Sequence, residues 1–180
     1  MTKKELRSIG KELRNGLTDA QRLDYDAQIR EQLSPILSGA QHVAIFLPIH
    51  KLKEIDLTPL LSNGSIHWYA PKSFFDDRRL EFVEIREDDF FPESEYGIPE
   101  PQSSDFIDPL ILDIVILPML ISDESGYRIG YGKGFYDKFL KRCSAECKRI
   151  GVNYFTPVEK IEDVDLHDEP IHFCVCPERL

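Results

Sequence analysis

The chain has 180 residues, of which 30% are charged and 42% hydrophobic, and its net charge at pH 7 is −10. A chain of this length can bury the core of one domain. The acidic balance argues against nonspecific binding to nucleic acids or anionic membranes. No apolar run is long enough to span a bilayer, and the amino terminus lacks the apolar core of a secretion signal. We therefore expect a cytoplasmic protein that binds small molecules, with neither nucleic acid nor membrane as a partner.

The four cysteines fall in two close pairs, Cys143 with Cys147 and Cys174 with Cys176. A zinc site built from four cysteines usually has C-x2-C spacing within turns. The first pair here is one helical turn apart, and the second lies on one face of a predicted strand. The spacing therefore predicts free thiols, with metal binding or redox use as the less favoured alternative.

The amino-terminal part of the chain predicts two helices. Over residues 2–16 the apolar side chains of Leu6, Ile9 and Leu13 share one face, and the basic side chains lie elsewhere, which indicates an amphipathic helix with a basic side. A second helix starts at residues 18–21 and continues to about residue 37. The basic side can be simply solvated. The alternative is that Lys3 and Arg7, which are one turn apart, contact a phosphate group.

Apolar segments rich in β-branched residues predict the strands of an α/β fold. The predicted strands cover residues 42–48, 65–71, 79–85, 112–118, 149–155 and 171–176. We expect one domain over residues 1–180, with helices 2–37 packed on an α/β core of residues 42–180. Its architecture should be a three-layer αβα Rossmann-like domain with a mostly parallel central sheet and an N-terminal helical pair.

A loop follows the first predicted strand, and Glu54 in this loop is a candidate binding residue. Ligands of open α/β sheets bind beyond the carboxyl ends of the strands, so this loop is well placed to contact one. The alternative is a solvated acid, or a charge at the start of a short helix over residues 57–61.

The most informative segment is residues 126–140, where a glycine-rich loop follows the strand at 112–118 and precedes a helix predicted to reach about Cys147. Gly130, Gly132 and Gly134 permit positive φ and close backbone approach. Arg128 and Lys133 add positive charge, and Asp137 one turn later could hold a phosphate-bound Mg²⁺. The pattern is neither a Walker loop nor G-x-G-x-x-G. It predicts a phosphate cradle, with a tight structural turn as the alternative.

The string R-I-G-Y-G-K-G-F-Y-D at residues 128–137 closely resembles the signature of the 5-formyltetrahydrofolate cyclo-ligase family. Further similarity to this family occurs in the expected order along the chain. The matching segments are residues 3–7, 46–48, 54–56, 97–101 and 113–118, together with Asp168.

This resemblance implies an ATP-dependent closure of 5-formyltetrahydrofolate to 5,10-methenyltetrahydrofolate, with ADP and phosphate released. It implies nucleotide binding by Lys3, Lys4, Glu5, Leu6, Arg7, Arg128, Ile129, Gly130, Tyr131, Gly132, Lys133, Gly134, Phe135 and Tyr136. It implies folate binding by Arg7, Leu47, Glu54, Tyr131, Gly132, Lys133, Gly134 and Phe135. Lys133, Arg128 and Glu54 would be the catalytic residues, Asp137 and Asp168 would bind Mg²⁺, and the protein would act as a monomer.

The sequence departs from the family pattern at a few positions. Phe135 stands where the family usually has a tyrosine, Met119 replaces a common glycine, and His172 replaces a common acid that could contact the metal shell. Two extra residues also lie between Leu47 and Glu54 compared with some members.

Two other functions therefore stay open. One is a nucleotide-binding sensor module without turnover. The other is a phosphosugar isomerase or kinase-like enzyme on a related fold, which would give Glu54 and the basic helix no role.

Overall fold

The computed structural model describes residues 1–178 and contains three α-helices and eight strands within them. The elements are α1 (Lys3–Gly16), α2 (Asp19–Ile36), β1 (His42–Ala44), β2 (His67–Phe74), β3 (Arg79–Ile85), β4 (Ile114–Pro118), β5 (Ile121–Ser122), β6 (Arg128–Ile129), α3 (Phe135–Leu140), β7 (Lys148–Val152) and β8 (Phe173–Val175). Short 3₁₀ helices span His50–Leu52, Thr58–Ser62 and Pro109–Ile111.

Six of the strands form the central sheet in the order β3-β2-β1-β4-β7-β8. All neighbouring strands in this sheet are parallel except β2 and β3, which are antiparallel. Strands β5 and β6 pair separately as an antiparallel hairpin. The prediction of a mostly parallel sheet is confirmed.

Side chains alternate between the two faces of the sheet, so each face has its own core. Along β4, Ile116 packs in a cluster that includes Leu33 of α2. The preceding residue, Val115, points to the opposite face of the sheet and packs in a cluster that includes Phe139 of α3. A strand that is covered on both faces of the sheet needs apolar side chains on both faces, and the sequence of β4 is accordingly a continuous hydrophobic run. These two clusters confirm the three-layer αβα arrangement.

Helix α1 packs against the β5–β6 hairpin through a third apolar cluster, in which Leu6 contacts Ile121 and Ile129. Thr2 and Glu5 form a capping box that fixes the start of α1. Gly10 lets the helix approach the hairpin closely, since a Cβ there would lie 3.0 Å from the Leu120 Cβ. The hairpin therefore determines where the basic side chains of α1 lie.

The predicted apolar face of α1 was wrong at two positions. Leu13 is 46% exposed, whereas Arg14 is only 4% exposed. The reason is that α1 buries Leu6, Gly10 and Arg14, which are spaced four residues apart, so this stripe lies on one face of the helix.

Strand β2 does not end at Pro71, as the sequence suggested, but continues to Phe74. Its pairing with β1 stops at Tyr69, so beyond that point one side of β2 has no strand beside it. A proline lacks the backbone N–H that a central strand needs, and it is tolerated on such an open side.

The glycine loop follows β6 of the hairpin instead of following β4, and the helix after it is shorter than predicted. Helix α3 ends at Leu140, and residues 141–147 form turns. In these turns the Ser144 hydroxyl accepts a hydrogen bond from the Glu146 backbone N–H at 3.2 Å. Serine side chains compete in this way with helical hydrogen bonding.

Among residues 1–178, no helix combines the length and apolar character that crossing a membrane requires.

Candidate functional site

A cavity of about 680 Å³ lies beyond the carboxyl ends of β1 and β4. It brings together the start of α1, the loop after β1, the glycine loop and the loop that contains Asp168. The lining includes the predicted residues Lys3, Arg7, Leu47, Glu54, Arg128, Ile129, Gly130, Tyr131, Gly132, Lys133, Gly134, Phe135, Tyr136, Asp137 and Asp168. Most of the predicted site therefore lies around one cavity, in the position expected for an open α/β sheet.

Helix α1 lies directly over the glycine loop. The Arg7 Nε donates a hydrogen bond to the Gly130 carbonyl at 3.0 Å. Gly132 has a φ of +81°, and a Cβ there would lie 3.2 Å from the Arg7 guanidinium carbon. Gly132 is thus required both by its left-handed backbone and by the close approach of Arg7. Two segments more than 120 residues apart therefore form one basic surface.

Three residues predicted to bind nucleotide do not line this cavity. Lys4 and Glu5 are exposed, and Leu6 is buried between α1 and the hairpin. Helical geometry explains the difference, because Lys3 and Arg7 are four residues apart and share a face that Lys4 and Glu5 do not. The Glu5 carboxylate instead accepts the Thr2 backbone N–H at 2.9 Å.

The two predicted metal ligands are each paired with a cation of the chain. Asp137 Oδ1 accepts hydrogen bonds from Arg128 Nη2 at 2.8 Å and from the Glu169 backbone N–H at 3.1 Å. Asp168 Oδ2 is paired with the Lys3 ammonium and also accepts the Asp165 backbone N–H at 2.7 Å. Each of these two acids is thus balanced by one cation, Asp137 by Arg128 and Asp168 by Lys3.

Each of these carboxylates keeps one oxygen for another ligand. Within residues 1–178, Asp137 Oδ2 and Asp168 Oδ1 accept no hydrogen bond. The same part of the chain contains no cluster of three or more metal-binding side chains. Mg²⁺ commonly binds one or two carboxylates and completes its shell with water and phosphate oxygens. The two acids therefore fit a metal that arrives with a phosphate, and they do not form a complete protein cage.

Glu54 is buried, so the prediction of a possible solvated loop acid was wrong. The 3₁₀ helix His50–Leu52 ends at Lys53 in a left-handed conformation, which turns the following Glu54 inward. Glu54 Oε2 accepts the Ile49 backbone N–H at 2.9 Å. Loss of solvation raises the pKa of Glu54, although the hydrogen bonds from Ile49 and Tyr131 oppose this shift.

Arg14 is a buried residue that connects to this acid and that sequence reasoning missed. Its Nη1 donates to the Tyr131 hydroxyl at 2.9 Å, and its Nη2 donates to the Met119 carbonyl at 2.5 Å. Tyr131 and Glu54 are neighbouring polar groups in the cavity lining. Burial, and next the charge of Glu54, raise the pKa of Tyr131, so its hydroxyl keeps its proton at neutral pH. The periodicity of α1 predicted that Arg14 faced solvent.

An aromatic group on the cavity wall was also missed in part. The Phe75 ring lies 3.9 Å from the Tyr96 ring and 5.1 Å from the Phe135 ring, measured between centroids. Tyr96 belongs to the long irregular segment before β4, which Glu100 attaches to β2 by accepting the Ser73 backbone N–H at 2.8 Å. Only the match at residues 97–101 indicated that this segment belongs to the site.

The departures Met119 and His172 lie away from the cavity lining. Met119 is buried, and its sulfur lies 2.7 Å from the position that a Cβ on Gly151 would take. His172 accepts the Arg149 backbone N–H through Nδ1 at 3.0 Å, between β7 and β8. The metal-shell contact that an acid at this position could make is therefore absent from the lining that the structure describes.

A crevice beyond parallel strands, lined by cations, a glycine loop and apolar walls, defines an α/β enzyme that acts on small anionic substrates. The chain belongs to the 5-formyltetrahydrofolate cyclo-ligase family, whose model matches residues 1–176.

Curated relatives support the same family. The chain is 27% identical to the 5-formyltetrahydrofolate cyclo-ligase of Escherichia coli K12 over 171 residues, covering 89% of this chain and 91% of that protein. It is 25% identical to the Mycoplasma genitalium enzyme, covering 84% of each. The match to the Mus musculus enzyme is 27% identical and covers 58% of this chain and 56% of the mouse protein.

Solved structures agree. The 5,10-methenyltetrahydrofolate synthetase of Aquifex aeolicus superposes with a TM-score of 0.82 at 28% identity, covering 98% of this chain and 90% of that one. The Mycoplasma pneumoniae synthetase has the same fold, with a TM-score of 0.75 at 20% identity, covering 97% of this chain and 98% of that one. Family and neighbours together indicate cyclo-ligase activity, with ATP as co-substrate, and confirm that prediction over its two alternatives.

Proposed function

We propose that the cavity carries out both chemical steps of the cyclo-ligase reaction. The N5-formyl oxygen attacks the γ-phosphorus of ATP and releases ADP. N10 then attacks the formyl carbon and gives up its proton, and phosphate leaves with the electron pair of the broken C–O bond and takes up that proton. Phosphorylation comes first because a formyl oxygen is a poor leaving group. The observation that carries this proposal is that one cavity joins a basic surface and glycine loop to the buried Glu54.

In this proposal four cations neutralise the triphosphate, namely Lys3, Arg7, Arg128 and Lys133. Lys3 and Arg128 are already close to the phosphate position because each pairs with an acid of the lining. The open amides of the glycine loop would meet negative charge as it develops on the transferred phosphoryl group. Positioning and electrostatic stabilisation of this kind supply most of the catalysis in phosphoryl transfer.

Asp137 and Asp168 would hold Mg²⁺ through their remaining carboxylate oxygens. When bound, the metal would supply positive charge that offsets the negative charge of the phosphate groups. Lys3 and Arg128 would then exchange part of their pairing with the acids for pairing with the nucleotide. The net charge of the site would stay nearly balanced throughout.

Glu54 would orient the reduced pterin by accepting its N–H groups, and Leu47 would contact the ring system. A carboxylate has about four acceptor positions. The Ile49 backbone N–H and the Tyr131 hydroxyl use two of these in the protein, so the others are available to substrate. Phe135 keeps an aromatic face for stacking although it lacks a hydroxyl.

The finer assignments of location and assembly belong to the same proposal. We expect the protein to act in the cytoplasm as a monomer. The acidic net charge of −10, which disfavours binding to membranes and nucleic acids, supports the cytoplasmic location.

Lys133 tests the phosphoryl-transfer role. Its side chain is exposed at the cavity and forms no hydrogen bond or ion pair within residues 1–178, so it is free to follow the transferred group. Lys133→Ala should lower kcat by about 100-fold or more while changing nucleotide affinity much less, because the contact strengthens in the transition state. Steady-state kinetics and ATP titration measure the two effects.

The matched control is Lys138→Ala. Lys138 lies on α3 outside the cavity lining and donates to the Asp77 carbonyl at 2.8 Å. Its replacement should leave kcat within about twofold, since surface substitutions have small effects. An unchanged kcat in Lys133→Ala would rule out the assigned role.

A further inference from the structure

Arg14 lies on the same face of α1 as Lys3 and Arg7. Seven residues, or about two helical turns, separate Arg14 from Arg7, so the two side chains point in nearly the same direction. Unlike Arg7, Arg14 does not line the cavity and is 4% exposed. Burying a guanidinium is costly unless it is well paired, and here the Nε has no hydrogen-bond partner within the described chain. The contacts that Arg14 does make are therefore informative.

The hydrogen bond from Arg14 fixes the direction of the Tyr131 hydroxyl. A guanidinium can only donate, so the Tyr131 oxygen accepts the bond from Nη1 at 2.9 Å. The single hydroxyl proton is then left for Glu54, the neighbouring acid that lines the same cavity. The result is a one-way chain of donors that runs from α1 through the glycine loop to the buried acid.

We infer that Arg14 is a positioning residue that acts through Tyr131 to hold Glu54 in the orientation that binds the folate. This inference rests on the proposed role of Glu54. It goes further by assigning a specific function to a residue that touches neither substrate. Because Tyr131 belongs to the glycine loop, the chain also joins the nucleotide-binding and folate-binding halves of the cavity.

A merely structural role for Arg14 would depend on its second contact. The bond from Nη2 to the Met119 carbonyl attaches α1 to the segment before β5. Leu6 packing, the close approach at Gly10 and the bond from Arg7 to Gly130 attach the same helix independently. Loss of Arg14 should therefore leave α1 in place and change mainly the Tyr131 hydroxyl.

The experiment is a double-mutant cycle with Tyr131→Phe and Arg14→Met, read out as the folate KM, the ATP KM and kcat. Each single variant should raise the folate KM by about tenfold, the cost of losing a hydrogen bond to a charged group. In Arg14→Met the ATP KM should stay within about threefold, because Arg14 does not line the cavity. In the Tyr131→Phe background, Arg14→Met should add little, because residues that act through one contact are not additive.

Arg14→Lys is the second variant, and it distinguishes loss of the hydrogen bond to Tyr131 from failure of the protein to fold. It keeps a positive donor, so it should recover most of the folate affinity that Arg14→Met loses. A lower melting temperature with an unchanged folate KM would show that Arg14 is only structural and would overturn the inference. Fully additive effects in the cycle would also overturn it.

Glu54→Gln separates this inference from the proposed function. If Glu54→Gln leaves the folate KM unchanged, the proposed role of Glu54 fails. If it raises the folate KM but Arg14→Met and Tyr131→Phe do not, only the inference about Arg14 fails.

Discussion

Glu54 is the residue at which the requirements of protein stability and of substrate binding conflict most clearly. Desolvation raises its pKa, so the ionised form that can accept hydrogen bonds from a pterin is the form that burial disfavours. Two hydrogen bonds and the positive charge of Arg14 oppose this cost. Such a group is retained for binding and not for stability.

Glu54→Gln should therefore stabilise the protein at neutral pH. The pKa of Glu54 in the folded chain lies above its ordinary value of 4.5, so the folded state binds the proton more tightly than the unfolded state does. Stability is then lost as the pH rises through the folded-state pKa. The variant lacks this loss, so its melting temperature should exceed that of the wild type at neutral pH and equal it below pH 4.5.

The control is the exposed Glu159, whose Glu159→Gln variant should match the wild type at each pH. A neutral-pH melting temperature for Glu54→Gln at or below that of the wild type would contradict the argument.

How far single residues could be predicted depended on whether their role is local. The glycines and cations of residues 128–137 predict an anion-binding site by their type and spacing alone. Arg14 could not be found in this way, because its role depends on which face of α1 meets the hairpin, and charge patterning assigned it to solvent. The burial of Glu54 likewise depends on the left-handed turn at Lys53, which no local rule demands of a lysine.

At the scale of elements, the site depends on how closely α1 approaches the β5–β6 hairpin. Arg7 and Arg14 reach the glycine loop, and Lys3 reaches Asp168, because the helix packs closely on the hairpin at Gly10. A Cβ at Gly10 would lie 3.0 Å from the Leu120 Cβ and 3.2 Å from the Leu120 carbonyl oxygen. Backbone cannot easily yield, so the helix would have to move.

Gly10→Ala should accordingly destabilise the protein by about 1–3 kcal/mol, as overpacking does, even though alanine is the better helix former. It should also raise the KM for ATP, because displacement of α1 moves Arg7 away from the loop. Thermal melting and steady-state kinetics measure both effects.

Gly16→Ala on the same helix is the matched control. A Cβ there meets nothing within 4 Å, so this variant should be neutral or more stable by about 0.5–1 kcal/mol. Equal melting temperatures for the two variants would show that the close approach at Gly10 does not affect the free energy of unfolding.

Elements with a strong local pattern were predicted well, and those decided by their neighbours were not. The buried strands and the capping box at the start of α2 follow directly from the sequence. The continuation of β2 through Pro71 depends on where β1 stops pairing, and the hairpin that precedes the glycine loop is too short for any periodic signal.

For the whole molecule, the main consequence of the fold is that residues from Lys3 to Asp168 meet around one cavity. Strands β1 and β4 end there, the hairpin directs the glycine loop towards it, and α1 covers one side. A site that gathers its parts from the entire chain suits a reaction with two substrates, because both must be held together before the formyl oxygen can be phosphorylated. The family match over residues 1–176 includes all of these residues.

The most direct test is the absorbance of the methenyl product when the purified protein is mixed with Mg-ATP and 5-formyltetrahydrofolate, beside controls that lack ATP or Mg²⁺. We predict a rise in absorbance that requires ATP, is abolished without Mg²⁺ and falls about 100-fold or more in rate with Lys133→Ala. Binding of ATP without any folate-dependent rise in absorbance would contradict the assignment of both chemical steps to this cavity.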